Sequence, residues 1–124
     1  MVMKFGGSSL ATPQRVLNAA RRAIEQFDAG HQVVVVCSAQ GDMTDELIER
    51  ALELHPEPSP REMDMLKAVG EQMSIALMAI AIHRLGRDAV SLTGSQAGIR
   101  TDSFHGHAKI KTVETERLRS ELAR

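Results

Sequence analysis

Lysine, glycine and serine stand together near the start of the chain and could bind a phosphate group. The segment Lys4–Ser9 (KFGGSS) follows a short apolar run and precedes a helix start signal at Thr12 and Pro13. This order predicts a strand, a tight turn and a helix N-terminus. Gly6 and Gly7 have no side chain, so their N–H groups can approach an anion closely. The positive end of the helix dipole and the Lys4 ammonium favour negative charge at the same place.

The lysine precedes the glycines, so the segment is not a Walker A loop, in which the lysine follows them. By local chemistry alone, a turn without a ligand is the alternative interpretation of Lys4–Ser9. Likewise, Lys4 could be a strand-end lysine that reaches solvent.

Apolar periodicity and turn residues predict that strands alternate with helices along the chain. The Val33–Val36 run is typical of a strand buried on both faces, hence central in a parallel sheet. Ser59–Glu62 has the pattern of a capping box with proline at the first helical position. The predicted strands are 1–5, 33–36, 89–93 and 110–113, and the predicted helices are 13–28, 44–54, 60–85 and 114–123, with 95–109 as a loop.

This alternation predicts an α/β layered fold with a mostly parallel sheet. Ligands of such sheets bind beyond the carboxyl ends of the strands. We therefore expect the turns after Lys4, Cys37 and Thr93 to lie at one edge. The turn after Thr93 is the weakest candidate of the three, since it could equally be an ordinary turn.

Glu71 occupies an unusual position on the long predicted helix. Leu66, Val69, Met73, Leu77 and Ile80 form one apolar stripe, and Ile75, Met78 and Ile82 form a second, which Glu71 extends by one turn. A buried carboxylate needs a cationic or donor partner. We expect Glu71 to face the same hollow as Lys4, unless this end of the stripe emerges into water.

Composition excludes several classes of protein. The 124 residues carry a net charge of −1, three phenylalanines and no basic block, which argues against a nucleic-acid partner. The longest apolar run, near residues 75–82, is shorter than the roughly 20 residues that span a membrane. Cys37 is the single cysteine and suits a reducing compartment, so we expect a cytoplasmic protein. His105 and His107 lack a nearby acidic or thiol cluster and are expected to be loop histidines and not metal ligands.

Five segments, in this order, resemble sequence blocks of the aspartokinases, a group within the amino acid kinase family. Together they span nearly the whole chain, and several ordered blocks are far more specific than one glycine turn. The segments are Lys4–Ser9, Ser38–Leu47, Glu62–Leu66, Gly70–Ser74 and Leu92–Gly98.

The resemblance implies a three-layer αβα sandwich and an aspartate kinase activity. Such an enzyme transfers the γ-phosphoryl group of ATP, bound with Mg²⁺, to the side-chain carboxylate of L-aspartate. This is the first step of lysine, threonine and methionine biosynthesis. A cytoplasmic homo-oligomer without nucleic-acid or membrane partners is expected.

The resemblance also assigns roles to residues of this chain. Lys4 would be catalytic, because it would stabilise the charge on the transferring phosphoryl group. ATP would be bound by Lys4, Phe5, Gly6, Gly7, Ser8 and Ser38, and aspartate by Asp42, Met43, Thr44, Asp45, Glu46 and Glu71. Ser38 and Thr44 could instead be a turn residue and a helix N-cap. Gln40 and Met43 depart from the residues commoner in the family, so the fine shape of the aspartate pocket stays open.

The resemblance reaches only the first part of an amino acid kinase domain. We therefore expect residues 1–124 to be a fragment whose sheet is incomplete at the C-terminus, without the nucleotide-binding half, the metal ligands or the ACT regulatory domains. Two other functions stay open. One is another member of the family, acting on glutamate, acetylglutamate or a nucleotide, and the other is a non-catalytic α/β binding or assembly module.

Overall fold

The computed structural model describes residues 1–124 as an α/β unit. The alternation of strands and helices predicted from the sequence is present, with two exceptions in the second half of the chain. In chain order the elements are β1 (Val2–Phe5), a 3₁₀ turn (Gly7–Leu10), α1 (Pro13–Asp28), β2 (Val34–Cys37), α2 (Met43–Leu54), α3 (Pro60–Arg84), β3 (Ile99–Thr101), β4 (Ile110–Val113) and α4 (Glu116–Leu122).

Strands β1 and β2 form a parallel pair, in the register Lys4 opposite Val36 and Phe5 opposite Cys37. The expectation that β2 is central and buried on both faces is wrong for this chain. It pairs with β1 alone, and Val36 is 44% exposed. A β-branched run predicts a strand well, but the number of its neighbours depends on which other segments reach the sheet.

Helix α1 begins and ends where the sequence predicts. The Thr12 hydroxyl accepts a hydrogen bond from the Arg15 N–H (3.3 Å), Pro13 is the first helical residue, and Gly30 adopts the positive φ (92°) that ends the helix. Its predicted apolar face is buried, with Ala20 fully inaccessible, but Phe27 is 55% exposed. Phe27 lies in the last turn, beyond the reach of the core.

The core lies between α1, α3 and one face of the sheet. Alanines on α1 let α3 approach closely, and Met78, Ala81 and Ile82 of α3 fill the space. Phe5 and Val35 pack against this cluster from the sheet. Burying an apolar side chain of this size contributes about 1.5–3 kcal/mol, so this contact holds the turn after β1 against α3.

Helix α3 confirms one predicted stripe and not the other. Met78 and Ile82 are buried and Ile75 packs against the core, whereas Val69 and Ile80 of the other stripe are exposed. The predicted capping box does not form: Ser59 precedes the helix without a side-chain cap. Glu62 forms an ion pair with Arg61 instead.

Helix α3 is also long and apolar enough to cross a membrane by length and composition. It has 25 residues, and its most apolar 18-residue window has a mean hydropathy of 1.5. The expectation that no apolar segment reaches this length is therefore wrong. The core helix of a soluble protein meets the same test, and α3 packs on both α1 and α2.

The chain after α3 departs most from the sequence-based expectation. Residues 89–93 form no strand, because no neighbouring strand pairs with them. The Ala89 N–H donates to the His83 ring (3.2 Å), and the Thr93 N–H donates to the Gln96 side chain (3.0 Å). Part of the predicted loop is a strand instead, since β3 pairs with β4 in an antiparallel hairpin.

Helix α4 lies beside the Val34 end of β2, on the sheet face opposite to the core, and leaves the rest of that face open. Its residues Leu118 and Leu122 line a cavity of about 420 Å³ together with Val34 of β2, and Gln32 Nε2 donates to the Leu122 carbonyl (2.8 Å). Helices therefore lie on both faces of β1 and β2. This agrees with the predicted three-layer αβα arrangement, with a parallel sheet that is incomplete.

Candidate functional site

The turns after β1 and β2 are joined by hydrogen bonds at the carboxyl edge of the sheet. The Ser38 N–H donates to the Phe5 carbonyl (3.0 Å), and the Gly41 N–H donates to the Gly7 carbonyl (3.1 Å). Because these bonds continue the parallel pairing beyond the strands, the two turns keep a fixed position relative to one another. Two of the three turns expected at this edge are thus together.

Gln40 fixes the second turn on the first. Its Nε2 donates to the Leu10 carbonyl at 2.6 Å, and Leu10 is almost completely buried. Gln40 is one of the two residues that depart from those commoner in the family. In the structure its side chain holds the turn after β2 against the turn after β1.

Gly7 is required by the close approach of the second turn. A Cβ at Gly7 would lie 2.6 Å from the Ala39 carbonyl oxygen, a distance that real Cβ atoms do not show. A Cβ at Gly6 would meet no atom within 4 Å. The first glycine thus faces open space, and the second packs against protein backbone.

The first turn presents unpaired N–H groups. The Ser9 N–H donates to the Gly6 carbonyl (3.0 Å), whereas the N–H groups of Gly6, Gly7 and Ser8 have no backbone acceptor, as expected at the start of a helical turn. The Ser8 carbonyl accepts a hydrogen bond from Arg15 Nη1 (2.6 Å). Adjacent free donors of this kind suit an anion.

Lys4 lies on the sheet face opposite to the core. It stands beside Val36 in the parallel register, both side chains are exposed, and Lys4 forms no ion pair within the chain. Phe5, the next residue, packs against the core. Lys4 is free to reach a ligand beyond the strand end.

Ser38 follows Cys37 directly at the end of β2. Its residue is partly buried, its N–H is held by the Phe5 carbonyl, and its hydroxyl makes no hydrogen bond with the chain. The hydroxyl is therefore available to a ligand at this edge.

The segment from Asp42 to Glu46 forms the start of α2. The helix begins at Met43, so Thr44 is a helical residue and not an N-cap. Asp42, Asp45 and Glu46 are exposed, and Thr44 is partly buried. Two acidic residues in the first turn suit the helix dipole, so their presence there has a structural explanation as well.

Met43 packs against Gly70 of α3. A Cβ at Gly70 would lie 3.5 Å from Met43 Cγ and 2.8 Å from Ala39 Cβ. Met43 is thus accommodated by the missing side chain at residue 70. This contact brings the start of α2 and the middle of α3 together at the turn after β2.

Glu71 lies beside this contact and is exposed. It forms no ion pair within the chain, so its position agrees with the alternative that this end of the stripe emerges into water, and its contact with a ligand stays a prediction. The buried residues of α3 are Gly70, Ser74, Met78, Ala81 and Ile82. Glu71 lies next to the first of them, where the stripe emerges into water.

Lys4 and Glu71 do not contact each other. Lys4 is on the open face of the sheet, and Glu71 is on the helix that covers the other face, near the turn after β2. Both lie near the carboxyl edge of the strands. That the two face one hollow stays a prediction.

The turn after Thr93 is held by its own residues. The Ala97 N–H donates to the Thr93 carbonyl (2.9 Å), and the Ile99 N–H donates to the Gly94 carbonyl (2.9 Å). No hydrogen bond joins this turn to the turns after β1 and β2. Its place at the same edge as the other two turns therefore stays a prediction.

One polar contact was not found by sequence reasoning. Asp64 of α3 accepts hydrogen bonds from the Gly106 N–H (2.8 Å) and from His105 Nδ1 (3.2 Å). The Gly106 N–H, followed by His105 and Lys67, lowers the pKa of Asp64. This contact fixes the β3–β4 hairpin on α3, and it gives His105 a structural role. Nothing in local spacing links residues 42 positions apart.

Cys37 is buried, and burial raises the pKa of its thiol. A thiol that stays protonated is a poor nucleophile. The structure contains no group of three or more His, Cys, Asp or Glu side chains that could hold a metal ion.

Two parallel βα turns joined at the carboxyl edge of the sheet, the first of which has free N–H donors, define an α/β protein with a sheet edge that suits an anion. The model of the amino acid kinase family matches residues 1–124. The chain belongs to the amino acid kinase family.

Individual members of this family are similar to the chain over nearly its whole length. The chain is 51% identical over 122 residues to "Aspartokinase 2" of Bacillus subtilis (strain 168), which covers 98% of this chain and 30% of that protein. It is 52% identical to the "Aspartokinase" of Corynebacterium glutamicum, over 98% of this chain and 29% of that protein. The chain thus spans less than a third of the length of these relatives.

A solved structure has the same fold. The crystal structure of aspartate kinase from Synechocystis superposes with a TM-score of 0.74 at 44% sequence identity. The match covers 79% of this chain and 16% of that one.

Proposed function

We propose that residues 1–124 form the N-terminal part of the kinase domain of an aspartate kinase. The reaction is transfer of the γ-phosphoryl group of ATP to the side-chain carboxylate of L-aspartate, which gives 4-phospho-L-aspartate. The observation that carries this proposal is the identity of about 50%, over nearly the whole chain, with proteins named aspartokinase.

The turn after β1 would bind the phosphates of ATP. The free N–H groups of Gly6, Gly7 and Ser8 donate to phosphate oxygens, and the open space at Gly6 allows the close approach. Lys4 adds positive charge where the equatorial oxygens of the transferring group become more negative. Phe5 holds this turn in place through the core, and the Ser38 hydroxyl reaches the nucleotide from the second turn.

The start of α2 and the middle of α3 would bind L-aspartate. The Glu71 carboxylate accepts a hydrogen bond from the α-ammonium group of the substrate, and the Thr44 hydroxyl donates one to a substrate oxygen. Met43 acts through its packing on Gly70 and shapes the wall between them. Asp42, Asp45 and Glu46 are exposed around the same helix start, where they bias the site toward the ammonium end of the substrate.

No enzyme nucleophile is needed for this reaction. The aspartate carboxylate attacks the γ-phosphorus directly, the bond to the β-phosphate oxygen breaks, and ADP leaves with the electron pair. The enzyme then accelerates the reaction by positioning the two substrates and by stabilising the charge on the transferring phosphoryl group. This agrees with a thiol at Cys37 that burial keeps unreactive.

Mg²⁺ would accompany ATP and neutralise its phosphate charge. The residues of this chain fit the phosphates but offer no acidic cluster for the ion. We assign the metal ligands, the adenine pocket and the ACT regulatory domains to sequence beyond residue 124. A cytoplasmic homo-oligomer that opens the route to lysine, threonine and methionine is the corresponding biological setting.

The proposal is tested by ATP-dependent formation of aspartyl phosphate, trapped as the hydroxamate with hydroxylamine. A protein that extends this chain to the length of its relatives should form the product, and residues 1–124 alone should form little or none. L-glutamate and N-acetyl-L-glutamate serve as competing acceptors. Product from either of these and not from L-aspartate would reassign the substrate, and no product from any acceptor would favour a non-catalytic module.

A further inference from the structure

A cavity lined by two arginines lies beside the turn after β1, and neither arginine has a role in the proposed reaction. It has a volume of about 320 Å³ and lies between α1 and the end of β1. Its lining combines two arginines with two small polar side chains and an apolar wall, namely Phe5, Ser9, Arg15, Asn18, Ala19 and Arg22.

The two arginines share one face of α1. Seven residues of α-helix make almost two full turns, so Arg15 and Arg22 point in the same direction about 10.5 Å apart along the axis. Their side chains are long enough to converge on one group between them. Asn18 occupies the intervening turn on the same face.

Neither guanidinium is neutralised by a carboxylate. Arg15 donates to the Ser8 carbonyl alone, and Arg22 makes no hydrogen bond or ion pair with the chain. Glu25, the next acidic residue on α1, forms no ion pair with Arg22. Two positive charges thus face one cavity without a counterion from this chain.

The neutral groups of the cavity also favour an acceptor as ligand. Asn18 Oδ1 already accepts from Gln14 Nε2 (3.1 Å) and from Arg21 Nη1 (2.9 Å). What Asn18 has left for a ligand is therefore its Nδ2 donor. With the Ser9 hydroxyl, the polar lining consists of groups that can all donate.

We propose that this cavity binds a phosphate group, as inorganic phosphate or as a small phosphate monoester. Guanidinium groups match phosphate oxygens in planar, bidentate pairs. Phe5 and Ala19 supply an apolar wall against which the organic part of an ester packs. The site is separate from the nucleotide turn, because it uses the side chains of α1 and not the N–H groups of Gly6 to Ser8.

The test is a titration of the ¹⁵N-labelled 124-residue chain with inorganic phosphate and with glycerol 3-phosphate, followed by the amide shifts of Asn18 and Arg22, which lie on α1 and away from the turn after β1. Arg22→Gln is the informative variant, since Arg22 makes no hydrogen bond or ion pair within the chain. Arg50→Gln on α2 is the matched control, because it removes the same charge from an exposed position outside the cavity. Lys4→Met removes the cation of the nucleotide turn.

We expect Arg22→Gln to weaken binding about tenfold or more, the effect of losing a hydrogen bond to a charged group, with little change in Arg50→Gln and Lys4→Met. Equal affinity for the two ligands would identify inorganic phosphate, and tighter binding of the ester would identify a metabolite phosphate. An equal loss in Arg50→Gln would show nonspecific screening. A loss confined to Lys4→Met would place the anion at the nucleotide turn, and either result overturns the proposal.

The same titration in the longer kinase separates a ligand site from an internal ion pair. If a carboxylate from another part of that protein covers Arg22, phosphate no longer shifts these amides and the proposal fails. Since binding is read without an activity assay, its failure leaves the proposed kinase reaction untouched.

Discussion

Gly70 of α3 packs directly on Ala39, the second residue after β2, so closely that a Cβ at Gly70 would lie 2.8 Å from the Ala39 Cβ. Gly7 approaches the carbonyl of the same alanine from the turn after β1. Three segments that are distant in sequence therefore meet at one residue. Any ligand bound at this edge contacts groups whose relative positions are set by these two glycines.

Gly7→Ala should destabilise the fold, because the added methyl group meets the Ala39 carbonyl oxygen. Overpacking of this kind costs about 1–3 kcal/mol, measured as the loss in free energy of unfolding in urea. Gly6→Ala is the control, since its Cβ meets nothing, and its stability should stay within about 0.5 kcal/mol of the parent. Equal stability of the two variants would show that the close approach is not maintained in solution.

Lys4→Met should reduce kcat in the full-length kinase by about 10²–10³-fold, the effect typical of losing one electrostatic contact to a transition state. The substitution should leave stability unchanged, because Lys4 is exposed and unpaired. Lys111→Met on β4 is the control, because it removes the same charge from an exposed position, and its kcat should stay near the parent value. Near-normal turnover in Lys4→Met would remove its catalytic role.

Glu71→Ala should raise the KM for L-aspartate, about tenfold to a hundredfold, and should leave the KM for ATP near the parent value. The reason is that a carboxylate contact to the substrate ammonium is lost in the ground state and in the transition state alike. Steady-state kinetics in which L-aspartate and ATP are varied in turn give the two KM values separately. Glu49→Ala, an exposed carboxylate on α2, should change neither KM.

Acid should release the β3–β4 hairpin from α3. The pKa of Asp64 is lowered from its ordinary value of 3.8, chiefly by the Gly106 N–H. A lowered pKa in the folded state means that the carboxylate stabilises the fold above about pH 4, and that this contribution is lost as the pH falls through the folded value. The protection factor of the Gly106 amide, which is its intrinsic exchange rate at each pH divided by the observed rate, should fall on acidification between pH 6 and pH 2.

Asp64→Asn removes the titrating group, so the protection factor of Gly106 should be lowered at pH 6 already and should no longer fall on acidification. Asp45→Asn, which changes an exposed carboxylate without hydrogen bonds, should behave like the parent. A parent-like pH profile in Asp64→Asn would show that another group controls the hairpin.

Cys37 should resist alkylation in the folded chain. Burial raises the pKa of the thiol and blocks access to it, so iodoacetamide at pH 8 should react much more slowly than with a free thiol. The rate should rise steeply across the urea unfolding transition. Rapid reaction without urea would show that the β2 end opens in the native state.

The sequence by itself determined the family and the local elements of the first half of the chain. Thr12, Pro13 and Gly30 set the bounds of α1 through capping and backbone conformation, and the ordered motifs identify an amino acid kinase before any coordinates. These signals act over a few residues, so they can be recognised in the amino-acid sequence alone. The stripe through Met78 and Ile82 was likewise readable, because helical periodicity is local.

Only the tertiary structure decided which segments meet. Residues 89–93 carry a strand-like pattern but find no partner, whereas 99–101 pair with β4, because a strand exists only where another backbone completes its hydrogen bonds. The exposure of Glu71, the packing of Gly70 on Ala39 and the Asp64–Gly106 contact also join or separate residues far apart in sequence. Such contacts depend on the path of the whole chain, and no spacing rule contains them.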